Sequence, residues 1–174
     1  MENKAQTPVY RVCFVCTGNI CRSPMAEWVL RAKLHDAGLA GSVAVDSAGT
    51  GDWHVGDDAD PRTVQVLAEH GYPSRHTARQ FATADFAERD LVVALDHGHL
   101  RTLRRWRAAA GGRDDRPELR LLREFDPAAT PDRLDVPDPY YGALTGFEEC
   151  LAMVESAMPG LVRHIDSALE GRSR

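Results

Sequence analysis

The sequence predicts a single α/β domain, a four-stranded parallel sheet with helices on both faces and an anion-binding loop after the first strand. Three observations carry that expectation. Apolar runs alternate with amphipathic stretches along the chain, as strand–helix units of a parallel sheet do. The run Asp90-Leu91-Val92-Val93-Ala94-Leu95 is apolar without alternation, as a strand covered on both faces requires. The stretch Val12-Cys13-Phe14-Val15-Cys16-Thr17-Gly18-Asn19-Ile20-Cys21-Arg22-Ser23-Pro24 passes from an apolar strand, through a polar turn, to a helix start.

After a polar N-terminal tail over residues 1–8, Val9 to Val15 reads as the first strand of a domain spanning 9–170. Ser23 as a cap and Pro24 at the first helical position open a helix that continues from Met25 to Ala37. Its Ala26, Val29, Leu30 and Leu34 share one face, and Gly38 stops it. Val43 to Asp46 reads as the second strand, ending in the small-residue loop Ser47-Ala48-Gly49-Thr50-Gly51-Asp52-Trp53-His54. Pro61 to Glu69 reads as a helix with Val64, Leu67 and Ala68 inward and Gly71 as its stop. Asp90 to Leu95 is the third strand, and Asp96 caps a helix reaching about Ala109. A loop of glycines and mixed charges follows over 110–116. Leu119 to Phe125 is the fourth strand, and Asp126 to Asp138, rich in Pro and Asp, is a crossover. The last helix carries Phe147, Leu151, Val154, Met158, Leu161, Val162, Ile165 and Leu169 at helical period. Pro159-Gly160 inside it predicts a kink or a brief break. Residues 171–174 form a C-terminal tail, and no repeat or linker marks a second domain.

At 174 residues the chain is long enough for one sizeable core. A net charge of −5 gives no footprint for nucleic acid or an acidic membrane surface. No apolar run approaches the ~20 residues that span a bilayer, and Met1 to Thr7 lacks the apolar core of a secretory signal. A soluble, cytoplasmic protein is expected; export by a route that needs no signal peptide stays open. Cys13, Cys16 and Cys21 crowd one stretch while Cys150 lies far away, a poor disulfide framework that suits a reducing compartment. No metal, zinc-ribbon or thioredoxin-type redox site is expected, and no cofactor.

The chemistry concentrates after the first strand. A loop joining a strand end to a helix start collects unpaired backbone N–H groups and the positive end of the helix dipole. Around Gly18 these N–H groups could form a concave nest matched to a phosphate. The same field stabilises a thiolate, and cysteines at helix N-termini or beside Arg titrate at roughly 3.5–7.5. Cys16 is therefore a candidate nucleophile that needs no separate base. Arg22, six residues on, offers a planar, permanently charged fork for two phosphoryl oxygens. Thiolate displacement of a phosphate ester also needs an acid for the leaving oxygen. Asp138 is the candidate, in Val136-Pro137-Asp138-Pro139-Tyr140-Tyr141-Gly142, where prolines stiffen the loop and the tyrosines could build an aromatic wall.

The spacing Cys-x5-Arg-Ser and the fuller string from Cys16 to Pro24, with Asp138-Pro139-Tyr140 far downstream, resemble the low-molecular-weight protein tyrosine phosphatases. The resemblance covers roughly Arg11 to Glu170. It implies hydrolysis of phosphotyrosine through a phosphocysteine intermediate, with Cys16 as nucleophile, Arg22 as phosphate clamp and Asp138 as general acid and then base. It also implies that Thr17, Gly18, Asn19, Ile20, Cys21 and Ser23 complete the phosphate loop, and that Ser47 and His76 support it from behind. Trp53 matches an aromatic position at the cleft mouth, where it would sandwich a phenyl ring with Tyr140; a packed loop Trp is the alternative. Cys21 stands where a second cysteine could trap oxidised Cys16 as a reversible disulfide, and a small buried residue is the alternative. Partners implied are phosphotyrosine proteins, phosphate-like anions as inhibitors, and a tyrosine kinase acting on Tyr140 or Tyr141.

Rival readings remain within and outside this fold. Thiol-dependent arsenate reductases share the loop but relay electrons to cysteines in the middle of the chain, and none lies between Cys21 and Cys150. Protein-arginine phosphatases typically carry Thr where Ile20 stands. A catalytically silent phospho-ligand module would not need an intact nucleophile, Arg and acid. An ATP-binding loop lacks its Gly-Lys-[Ser/Thr].

Overall fold

Four parallel strands, β1 (Tyr10–Cys16), β2 (Val43–Gly49), β3 (Leu91–Ala94) and β4 (Glu118–Leu121), pair in the order β2-β1-β3-β4 in the computed structural model. The structure describes residues 10–174; the tail expected over 1–8, and Val9 at the expected start of the first strand, lie outside the described residues. The helices are α1 (Arg22–Asp36), α2 (Pro61–Glu69), a short α3 (Asp85–Glu88), α4 (His97–Ala109) and α5 (Leu144–Arg172). No helix of the described residues is long and apolar enough to cross a membrane.

Alternation along the strands divides the core in two. Val12, Phe14 and Cys16 of β1 point into a cluster with α1, α2 and α5, which also takes Val43 and Val45 of β2 and Leu91 and Val93 of β3. Cys13 and Val15 point the other way, into a cluster with Val92, Ala94 and Leu100 and Leu103 of α4. Both faces of the sheet are thus covered, which is why β1 and β3 read as continuous apolar runs. Cys13 and Cys16 have Cys-x-x-Cys spacing, but a step of three along a strand puts them on opposite faces, so they cannot act as a redox pair.

The chain leaves β1 toward β2 on one side and returns to β3 on the other. The loop after β1 therefore lies at the point where strand order reverses, the crevice that open parallel sheets use for ligands.

Several expected boundaries move. The helix after β1 begins at Arg22 with Cys21 as its cap residue and no side-chain cap. Ser23 does not cap it, because its hydroxyl is turned inward to Cys16 Sγ and Asn19 Nδ2. β2 runs on to Gly49, since Ser47, Ala48 and Gly49 stay in register with Phe14, Val15 and Cys16. On α2 the buried residues are Thr63, Val66 and Leu67, whereas Val64 is 42% exposed and Ala68 is also exposed. The helix presents the face that starts at Thr63, next to the phosphate loop. β4 ends at Leu121, where Glu124 folds back to accept the Leu121 N–H and turns 122–125 into a 3₁₀ turn. α5 runs unbroken through Pro159, whose ring lies on the exposed face. Gly160 is required by packing rather than by flexibility: a Cβ there would lie 2.4 Å from the Phe125 carbonyl oxygen.

Candidate active site

The loop from Cys16 to Cys21 is shaped by where its carbonyls go. The Cys16 carbonyl accepts from Thr50 N–H (2.8 Å), Thr17 from Gly51 N–H (2.9 Å) and Ile20 from Asp60 N–H (2.9 Å). The Asn19 carbonyl accepts from His76 Nε2 at 2.6 Å. In a trans peptide the C=O and the following N–H point in opposite directions. With these carbonyls drawn outward, the N–H groups of Thr17, Gly18, Ile20 and Cys21 turn inward and form a donor-lined cup. Gly49 permits the fit, since a Cβ on it would stand 2.6 Å from the Thr17 carbonyl oxygen.

Asn19 is the hinge pin of the loop. It adopts φ 58°, a conformation that Asn tolerates better than most residues, and it is fully buried. Its Nδ2 donates to Ser23 Oγ (2.8 Å) and Ser47 Oγ (3.0 Å), and its Oδ1 accepts the Arg79 N–H (3.0 Å). Ser47 Oγ in turn donates to Glu27 Oε1 at 2.7 Å, and Glu27 is held by Arg31 Nε at 2.9 Å. The chain of partners that orients the loop thus extends two residues beyond Ser47.

Cys16 Sγ lies on the cup floor, 2.9 Å from Ser23 Oγ at the start of α1. All four cysteines are free. Burial pushes the thiols of Cys13 and Cys21 well up and that of Cys150 to about 12, which keeps these three protonated at neutrality.

Arg22 is buried to 3% exposure and its fork is held rigidly. Nη1 donates to Asp96 Oδ2 and to the Val136 carbonyl, both at 2.9 Å, while Nη2 faces Thr17 Oγ1 (3.5 Å) and Asp138 Oδ2 (3.6 Å). Burial opposes the Arg22 charge, but Cys16, Asp138 and Asp96 outweigh it. Asp96 caps α4 by accepting the His99 N–H (2.9 Å) with its other oxygen. His99 Nε2 lies 2.8 Å from Thr17 Oγ1, and burial pushes this ring down to about 4 against the pull of Asp96. Asp96 read as a cap from the sequence, and nothing in the sequence marked His99 or Glu27.

Asp138 hangs over the cup on the loop before α5. One carboxylate oxygen accepts the Tyr140 N–H at 3.1 Å, the other faces Arg22, and the side chain is 44% exposed. A cavity of about 350 Å³ opens between this loop and the cup. Cys16, Thr17, Gly18, Ile20, Cys21 and Arg22 line its base, and Trp53, Asp138, Tyr140 and Tyr141 its sides. Asn19, Ser23, Ser47 and His76 lie behind the loop. The residues expected from sequence therefore converge on one place. His54, read only as part of a loop, also lines the cavity, with its ring against Gly18. Trp53 stands at the rim, 73% exposed, over Gly51.

Similarity to known proteins agrees with this geometry. The profile of the low molecular weight phosphotyrosine protein phosphatases matches residues 11–170. A low molecular weight protein-tyrosine-phosphatase of Streptomyces coelicolor is 60% identical over 164 residues, covering 94% of this chain and 98% of that one. Among solved structures, a protein tyrosine phosphatase of Entamoeba histolytica superposes with a TM-score of 0.84 at 29% identity, covering 91% of this chain and 98% of that one. A Drosophila arginine phosphatase superposes at 0.79 with 29% identity, covering 88% and 96%, so the fold alone does not separate these two substrates. With its profile matched over nearly the whole chain, the protein belongs to the low-molecular-weight phosphotyrosine protein phosphatase family.

Proposed function

We propose that the chain hydrolyses phosphotyrosine monoesters in proteins through a phosphocysteine intermediate. The observation that supports this reading is the cup, with its carbonyls turned outward, Cys16 on the floor, and Arg22 and Asp138 facing each other at one wall. In the first step the Cys16 thiolate attacks phosphorus in line. The bond from phosphorus to the phenol oxygen breaks, and Asp138 gives that oxygen its proton. Arg22 and the inward N–H groups hold the equatorial oxygens, where charge gathers in the transition state. In the second step the Asp138 carboxylate takes a proton from water. The water oxygen bonds to phosphorus, the P–S bond breaks, and phosphate leaves with the thiolate restored.

The walls favour an aromatic ester. Trp53 and Tyr140 line the same cavity as the cup, and Ile20 adds an apolar branch to it, so a phenyl ring on the bound phosphate would lie among apolar and aromatic walls. Phosphate-like anions fit the same donors and act as competitive inhibitors. Tyr141, 92% exposed, is open to a partner kinase, as is the half-buried Tyr140. Four free thiols suit a reducing, cytoplasmic setting.

Turnover of phosphotyrosine, phosphoserine and phosphoarginine peptides, measured side by side with arsenate, tests the substrate. Phosphotyrosine is expected to lead, and a clear preference for any of the others overturns the reading. Asp138→Asn should slow phenol release most for poor leaving groups; equal slowing across leaving groups would place the acid elsewhere.

A further inference from the structure

The cup is held by a network of bonds, but the residue that must meet the leaving oxygen sits on a separate loop. Asp138 is useful only at a fixed height above Cys16. On its N-terminal side the loop is tied by Val136, whose N–H donates to the Leu95 carbonyl and whose own carbonyl accepts from Arg22. The Asp135 carboxylate adds a tie by accepting the His97 N–H (2.8 Å). Beyond Asp138, the turn closed by Gly142 N–H on the Pro139 carbonyl is met by Arg62, from the first turn of α2.

Arg62 Nη2 donates to the Tyr140 carbonyl and Nη1 to the Gly142 carbonyl, both at 2.9 Å. The same guanidinium holds Asp60 in a two-point grip, Nε to Oδ1 at 3.0 Å and Nη2 to Oδ2 at 2.9 Å. Asp60 donates its own N–H to the Ile20 carbonyl of the phosphate loop. The guanidinium carbon Cζ lies over the Phe147 ring near the start of α5, 4.3 Å from its centroid. One planar fork thus joins the acid loop and α5 to Asp60, whose backbone in turn holds the phosphate loop.

From this geometry we infer that Arg62 is the positioning residue of the acid loop: by bridging the Tyr140 and Gly142 carbonyls to Asp60, it fixes the height of Asp138 above Cys16. The inference rests on the reading of Asp138 as general acid. It assigns Arg62 no contact with substrate. A lysine cannot replace it, because a single ammonium does not reach two carbonyls and a carboxylate in one plane.

The test compares Arg62→Ala, Arg62→Lys, Asp138→Asn and the double variant Arg62→Ala/Asp138→Asn on p-nitrophenyl phosphate, a good leaving group, and phenyl phosphate, a poor one. The readout is kcat/KM, which covers steps up to release of the phenol, with thermal melting as a check that each variant is folded. General acid catalysis contributes ~10²–10⁴-fold, so Arg62→Ala is expected to lose about tenfold or more on phenyl phosphate and under about threefold on p-nitrophenyl phosphate. Arg62→Lys, which keeps the charge and the stacking stem, is expected to shift the same way. In the Asp138→Asn background, removing Arg62 should change kcat/KM by no more than about twofold. The basic limb of the pH profile, which reports the protonated acid, should flatten in both Arg62→Ala and Asp138→Asn. Equal losses on both substrates, or full additivity with Asp138→Asn, would overturn the inference and leave Arg62 as a general support of the fold. If Asp138→Asn itself shows no leaving-group dependence, the acid is misassigned, and the role given to Arg62 falls with it.

Discussion

Replacing His99 with Gln removes a titratable ring buried beneath the phosphate loop. In the fold this ring is 4% exposed, and burial holds its pKa at about 4 against an ordinary 6.5. Asp96, Asp138 and Asp135 favour the proton and Arg22 opposes it, but burial dominates. In the unfolded chain the ring titrates near its ordinary value. Between the two values the unfolded state binds more protons, so stability rises with pH through that window. The contribution is complete above the ordinary value and is lost as pH falls through about 4. The full displacement is worth about 3 kcal/mol, of which about 2 kcal/mol disappears between about pH 7 and pH 5. Urea unfolding of the wild type and His99→Gln across that range is the assay. The wild type is expected to lose about 2 kcal/mol more than the variant, whatever constant difference separates them. Asp96, Asp60 and Asp126, whose partners hold them below the ordinary 3.8, lose their contributions only at lower pH and stay outside the window. Parallel profiles for the two proteins would refute the claim that burial keeps this ring neutral.

Other perturbations separate the loop from the frame. Asn19→Ala leaves a left-handed residue without its side-chain anchors and orphans the Arg79 N–H, so a loss of about 2–4 kcal/mol is expected from urea unfolding. Phosphate affinity, read by calorimetry, should fall with it. Gly160→Ala pushes a methyl toward the Phe125 carbonyl and is expected to cost about 1–3 kcal/mol while kcat of the folded enzyme holds. Gly171→Ala, with open space around it near the end of the same helix, is the control that should not lose stability.

What the sequence could show follows from how local each signal is. The cup is encoded in one contiguous string, so Cys16, Arg22 and the loop between them are legible without the fold. Asp138 is legible because its prolines and tyrosines form a second local pattern. The strand and helix order follows from apolar runs that need no partner to be recognised, and the Asp96 cap follows from its place before α4. The supporting residues are a different matter. Glu27 and Arg31 stand one turn apart on a helix with no sequence pattern to mark them, yet Glu27 is buried against Ser47. Arg62 follows Asp60-Pro61 and reads as part of a helix start, because its partners other than Asp60, the Tyr140 and Gly142 carbonyls and the Phe147 ring, lie far downstream. Ser23 carries every mark of a cap, and only the demands of Cys16 and Asn19 turn it inward. The face of α2 is misjudged for a related reason: Thr63 is buried beside the phosphate loop, so polarity alone points to Val64 instead.

Trapping the intermediate tests the central claim most directly. Rapid quenching during turnover of p-nitrophenyl phosphate, followed by peptide mass mapping, locates the transferred phosphoryl group. One phosphoryl group on Cys16 is predicted, persisting longer in Asp138→Asn, where the base for the second step is missing, and Cys16→Ser is predicted to stop turnover. A phosphoryl group carried by a different side chain of the wild type, or sustained turnover by Cys16→Ser, would contradict the account.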